Sequence, residues 1–133
     1  MILVDTSVWI ELLGGRIQPP TPDQLSQFVT CGPIVQEVLQ GLRSGNASDA
    51  FQEGFLALPC LGDPLPRGLF LEAAGIYREG RRRGCTIRSA TDCLIAAIAL
   101  DNGVPVWHRG RDFAAIAQYT PLKITRDFAP RGH

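Results

Sequence analysis

Met1-Ile2-Leu3-Val4-Asp5-Thr6-Ser7 opens the chain, and the fold turns on how it is read. An apolar run of β-type residues ends on a carboxylate and two hydroxyls. Val8-Trp9-Ile10-Glu11-Leu12-Leu13 then continues with helical spacing. A strand cannot carry a bare aspartate into its own sheet's core, because an unpaired buried charge is very costly. Asp5 is therefore expected at the carboxyl end of a first strand, roughly Ile2 to Val4. In open α/β sheets that edge is where ligands sit.

Working outward, strand-like and helix-like segments alternate. Gly14-Gly15 is a stop signal for the first helix, and Pro22 suits the start of a second, expected through Leu25 and Phe28. Val29-Thr30-Cys31 reads as a short strand. Pro33 opens a helix with Ile34, Val35, Val38, Leu39 and Leu42 on one stripe. Asn46 or Ser48 is the expected cap of a helix carrying Phe51, Phe55 and Leu56, and Leu58-Pro59-Cys60-Leu61 reads as extended. Leu69 to Arg83 is the longest amphipathic pattern, with Leu69, Phe70, Ala73, Ile76 and Tyr77 expected inward. Cys93 to Leu100 is apolar all round, the mark of a buried helix. Val104-Pro105-Val106-Trp107 is a strand whose proline suggests an edge or a strand start. Phe113 to Gln118 forms a last short helix, and Leu122 to Ile124 a final strand. Such alternation predicts an α/β fold with a largely parallel sheet covered on both faces.

At 133 residues the chain is expected to be a single domain with a core that needs no staples. Its 13 basic and 13 acidic residues cancel, so overall charge does not advertise a nucleic-acid partner. Lys123 is the sole lysine, and arginine is the better residue for bidentate phosphate contact. Cys31, Cys60, Cys85 and Cys93 form no C-x-x-C pair and lack zinc-site spacing, so reduced cysteines in a cytosolic interior are expected. The apolar start is too short for a secretory signal, and no stretch has the length to span a bilayer. A cytoplasmic location without membrane contact is the expectation. Residues 129–133 are expected to be a loose tail.

The carboxylates each have an ordinary explanation. Asp5 could cap the following helix, although Thr6 or Ser7 could do the same. Glu37, early in the helix opened by Pro33, could be a solvated residue favoured by the helix dipole. Ser89-Ala90-Thr91-Asp92 matches a capping box, and Asp112 could cap the terminal helix. Jointly they say more, because all of them are expected near element ends. Two carboxylates about 4 Å apart repel by roughly 4 kcal/mol at an effective dielectric near 20, so convergence requires protons or a cation. No histidine lies near the Asp5, Glu37 or Asp92 segments. An oxygen-only set suits Mg²⁺ or Mn²⁺.

Four segments also carry a resemblance: Val4-Asp5-Thr6-Ser7-Val8-Trp9-Ile10, Ile34-Val35-Gln36-Glu37-Val38-Leu39-Gln40-Gly41, Ile87-Arg88-Ser89-Ala90-Thr91-Asp92-Cys93-Leu94-Ile95-Ala96-Ala97 and Trp107-His108-Arg109-Gly110-Arg111-Asp112-Phe113. In this order they resemble the PIN-domain family, specifically the VapC-type ribonuclease toxins of prokaryotic toxin–antitoxin pairs. The resemblance implies a Rossmann-like three-layer sandwich over residues 1–128, with a central, mostly parallel sheet of four to five strands flanked by helices. It implies Asp5, Glu37 and Asp92 as metal-holding carboxylates for Mg²⁺ or Mn²⁺, with Asp112 as the fourth acidic position. Thr6 and Ser7 fall where the family places hydroxyls that support the first aspartate. Gly110 is a departure, since many relatives carry Asp or Asn there. An RNA substrate, a VapB-like antitoxin and a homodimer are likewise implied.

Arg78, Arg81, Arg82, Arg83 and Arg88 flank Asp92, and Arg109 and Arg111 flank Asp112. Arg88, Arg109 and Arg111 are expected to meet the RNA backbone, although the longer run could equally be a solvated helix end. Trp9 and Tyr77 could stack on bases, but core or interface packing is the plainer expectation. Two other classes stay open. A receiver-type signalling module would want paired acids at the first strand end and a lysine in the cleft; a non-catalytic PIN-like interaction domain would tolerate Gly110.

Overall fold

The computed structural model describes residues 1–127, so the tail expected at 129–133 lies outside the described residues. Its strands are β1 (Ile2–Val4), β2 (Phe28–Cys31), β3 (Cys60–Leu61), β4 (Val106–Trp107) and β5 (Ile124–Thr125). They form one sheet in the order β3-β2-β1-β4-β5, and every pairing is parallel. Helices α1 (Thr6–Leu13), α2 (Pro22–Leu25), α3 (Gly32–Gln40), α4 (Asn46–Leu56), α5 (Arg67–Arg82), α6 (Ala90–Asn102) and α7 (Asp112–Ala117) flank it.

β1 is central, with Leu3 paired to Val29 on one side and Val106 on the other. Both faces are covered, which is why Ile2, Leu3 and Val4 are all apolar instead of alternating. Among the helices, α1 packs against α3, α3 also meets α6, and α5, α6 and α7 pack on one another. Trp9 of α1 meets Phe28, Phe51 and Phe55 edge-on at centroid distances of 5.9, 5.9 and 5.1 Å. It is a core residue. α6 is buried from Ile95 to Ala99, as its all-apolar sequence requires. Gly103 ends it at φ 63, a left-handed conformation open to glycine at no steric cost.

Some sequence expectations differ from what forms. Phe28 belongs to β2, not to the second helix, which stops after one turn. Pairing with Ile2 and packing against Trp9 and Trp107 outweigh any helical continuation. β4 has a neighbour on each side, so Pro105 marks a strand start, where only its carbonyl is used, by the Leu3 N–H at 2.9 Å. Neither Asn46 nor Ser48 caps α4; Gly45 holds the cap position at φ 145. On α5 only Leu69, Ala73, Ile76 and Gly80 turn inward, while Phe70 and Tyr77 stay 49% and 39% exposed. Cys31 and Cys93 are buried, but Cys60 is exposed and Cys85 half-buried. Among the described residues no helix is long and apolar enough to cross a membrane.

The strand order places the functional edge. The chain leaves β1 toward β2 and β3, then returns to β4 on the opposite side of β1. Between β1 and β4 the winding reverses, and the crevice at the carboxyl ends of such a strand pair is the ligand position of doubly wound sheets.

Candidate active site

Asp5 directly follows β1 at that crevice, and the loop 108–111 follows β4 beside it. Asp5 is 6% exposed and is the N-cap of α1, so its ordinary explanation is correct in part. Its Oδ2 accepts from the Ser7 backbone N–H at 3.1 Å and from the Ser7 hydroxyl at 2.6 Å. The two hydroxyls after Asp5 divide their work. Ser7 holds Asp5, whereas Thr6 Oγ1 donates to Glu37 Oε1 at 2.9 Å, across the α1–α3 contact. Glu37 lies in the second turn of α3, three residues before its last residue Gln40, and not in the first turn where the sequence suggests it.

A further set of bonds joins the other two segments. Ser7 Oγ also accepts from the Arg109 backbone N–H at 3.0 Å, tying α1 to the loop after β4. Asp112 sits at the start of α7, only 8% exposed, yet makes no cap for its own helix. Its Oδ2 accepts from the Ser89 backbone N–H at 2.9 Å. In a reciprocal capping box the third helical residue would take that N–H. Ser89 does cap α6 by accepting from the Asp92 N–H at 3.3 Å, but Asp112 takes the return role expected of Asp92. The Asp92 carboxyl is thereby released from capping duty.

Two hydrogen-bonded networks thus flank the crevice, one joining Glu37, Thr6, Ser7, Asp5 and the Arg109 backbone, the other joining Asp112, Ser89 and the Asp92 backbone, and the segment from Arg109 to Asp112 runs between them. Burial pushes the Asp92 carboxyl up to about 8, helped by the Asp5 and Asp112 charges, a hydrogen bond with Asp112 and the Glu37 charge. The charges of Asp5, Asp112 and Glu37 all act on Asp92 in the same direction. Among the described residues, no three His, Cys, Asp or Glu side chains already stand as a closed metal-binding group.

The donor chemistry fits a hard divalent cation, since only oxygen ligands face the crevice from these four positions. The imidazole of His108 is not an alternative ligand. His108 is fully buried, and Nδ1 lies 3.0 Å from the Gly110 carbonyl, which can only accept, so Nδ1 carries the proton. Burial lowers the His108 pKa, and among the described residues its Nε2 has no hydrogen-bond partner. Of the arginines expected on RNA, Arg88 and Arg111 are exposed. Arg109 is engaged: its Nε lies 3.2 Å from Glu11 Oε2, an ion pair without hydrogen-bond alignment, and its Nη1 lies 3.3 Å from Asp127. Glu11 and the Ser89 N–H were not singled out by the sequence, because their roles depend on partners 98 and 23 positions away.

Comparison with known proteins follows the same lines. The family described as PIN domain matches residues 2–119. Ribonuclease VapC11 of Mycobacterium tuberculosis is 36% identical over 132 residues, spanning 92% of this chain and 96% of that protein. Among solved structures, VapBC-1 from nontypeable Haemophilus influenzae superposes with a TM-score of 0.68 at 20% identity, covering 94% of this chain and 97% of the other. VapBC-5 from M. tuberculosis, described as a member of the VapBC family of toxin-antitoxin systems, gives 0.67 at 20% identity, covering 94% and 97%.

Proposed function

Because this chain belongs to the PIN-domain family, we propose that it is a metal-dependent endoribonuclease that hydrolyses RNA phosphodiesters and acts as a toxin. The observations that support the reading are two hydrogen-bonded networks beside the switch point of the sheet: Ser7 joins Asp5 to the loop after β4 while Thr6 holds Glu37, and Asp112 holds Ser89, three residues before Asp92. The name of the 36% identical relative, a ribonuclease, supports the choice of RNA.

Asp5 and Asp92 would hold Mg²⁺ or Mn²⁺, with Glu37 and Asp112 completing the set directly or through water. Such an ion lowers the pKa of bound water and offsets charge that builds on the phosphate oxygens. The protein's own residues do the positioning. Ser7 fixes the Asp5 carboxylate, and Thr6 fixes Glu37. Asp112 satisfies the first backbone donor of α6, so the Asp92 oxygens remain available to the crevice. Arg88 and Arg111, exposed near Asp92 and Asp112, meet phosphates of the bound strand. The same reading gives the enzyme an antitoxin that covers the crevice, a homodimeric state and a cytoplasmic location.

The receiver-type alternative loses its footing. The sole lysine, Lys123, precedes β5 and offers its carbonyl to the Val106 N–H, which puts it at the opposite, amino-terminal edge of the sheet. The test is RNA cleavage by purified protein with Mg²⁺ or Mn²⁺, repeated with chelator and with Asp5→Asn. Cleavage only with the divalent ion, abolished by the substitution, is expected. Undiminished cleavage by Asp5→Asn would refute it.

A further inference from the structure

We infer that the cleft between α5 and α6 receives an unpaired stretch of the RNA, with a base against Tyr77 and phosphates on Arg78 and Arg81. This inference rests on the ribonuclease reading and adds which surface takes the strand and in what form. The cleft has a volume of about 550 Å³, and Phe70, Tyr77, Arg78, Arg81, Thr91 and Leu94 are among its walls. Thr91 immediately precedes Asp92, so the cleft ends on the turn of α6 that supplies the acidic crevice.

The arginines of α5 fall into two sets. Arg82 and Arg83 are tied to Glu79, with Nε–oxygen distances of 2.9 and 2.8 Å. Arg78 and Arg81 line the cleft, and among the described residues neither has an acidic partner. The Arg81 guanidinium lies 5.9 Å from the Tyr77 ring centroid, which orders two otherwise exposed side chains. Unneutralised guanidiniums beside an exposed aromatic ring are the means by which proteins take single-stranded nucleic acid: phosphates meet the cations, and a splayed base stacks on the ring. A duplex offers no unpaired ring face to Tyr77.

The test uses the wild-type protein in chelator, so that RNA stays intact, and follows binding by fluorescence anisotropy. The probes are a labelled unstructured RNA and the same strand annealed to its complement. The single strand is expected to bind more tightly. Arg78→Ala with Arg81→Ala should weaken it at least tenfold and flatten the slope of log affinity against log salt by about 0.7 per arginine. Tyr77→Ala should weaken it on the order of tenfold, while Tyr77→Phe, which keeps the ring, should not. All three side chains are on the surface, and thermal unfolding checks that the variants fold. Equal affinity for strand and duplex, no detectable binding, or wild-type behaviour of the arginine variant overturns the inference. So does an arginine variant altered only in its mass by light scattering, which marks a protein interface. Failure of the ribonuclease reading is separate: it shows as intact RNA when the wild type is supplied with Mn²⁺.

Discussion

Thr6 and Ser7 are adjacent in the chain, yet each serves a different carboxylate, and this division is testable. Ser7→Ala removes the 2.6 Å donor to Asp5 and the acceptor for the Arg109 N–H. Thr6→Val removes the donor to Glu37 alone. Each should lower the cleavage rate by about 10- to 100-fold, the usual effect of groups that orient metal ligands, with the fold retained by circular dichroism. Cleavage at the wild-type rate in Ser7→Ala would show that Asp5 needs no such support. Asp92 carries a second prediction. Its carboxyl is raised from 3.8 to about 8, by burial first and then by Asp5 and Asp112, so the folded protein keeps a proton that the unfolded chain releases. Metal-free protein should therefore be most stable below about pH 4 with respect to this group and lose stability as pH climbs toward 8. A divalent cation competes with that proton and should raise Tm more near pH 8 than near pH 5. Unfolding scans in chelator and in Mn²⁺ read both effects; a chelator Tm that rises with pH across this window would contradict the assignment. At this scale the sequence exposed Asp5, because a strand cannot end in its core on a carboxylate. It could not show that Thr6 reaches Glu37, since that bond depends on how α1 packs on α3.

Among the elements, α5 and α6 form the most extensive helix contact, and Gly80 near the end of α5 faces Ile87 in the loop between them and Tyr119 beyond α7. A Cβ there would lie 2.6 Å from the Tyr119 hydroxyl and 3.2 Å from Ile87. That hydroxyl donates to the Ile76 carbonyl at 2.8 Å and cannot withdraw without breaking the bond. Gly80→Ala should thus destabilise the protein by about 1–3 kcal/mol, as overpacking does, despite alanine's higher helix propensity. Denaturant unfolding measures it, and a stabilised variant would show that Tyr119 is free to move. Gly110 is the opposite case, because a Cβ there meets nothing within 4 Å. Gly110→Asp should fold and bring a further carboxylate to the loop after β4; calorimetric titration should show tighter Mn²⁺ binding than wild type, and unchanged affinity would place that side chain away from the crevice. Elements were legible where pattern and burial agree, as in the all-apolar α6. They were misread where local preference lost to packing. Phe28 looked helical beside Pro22 but was drawn into β2 by Trp9 and Trp107. Phe70 and Tyr77 matched the inward stripe of α5, yet the face buried against α6 is narrower than the apolar pattern.

For the whole molecule, strand order does what composition cannot. A chain of zero net charge gives no global sign of a polyanionic substrate. The order β3-β2-β1-β4-β5 nonetheless sets the ends of β1 and β4 side by side, where Thr6 bonds Glu37 of α3 and Asp112 bonds Ser89 at the start of α6. The α/β class was readable from alternating segments. The reversal between β1 and β4 was not, because adjacency of strands so far apart in the chain leaves no local trace. The claim on which everything rests is that these remote carboxylates bind one kind of ligand together. Electron paramagnetic resonance of Mn²⁺ titrated into the purified protein measures this, using Asp5→Asn, Glu37→Gln and Asp92→Asn, with the exposed Asp101→Asn as control. Saturable binding that is weakened by each of the three substitutions and retained by Asp101→Asn is the predicted result; binding that survives Asp5→Asn and Asp92→Asn unchanged would contradict it.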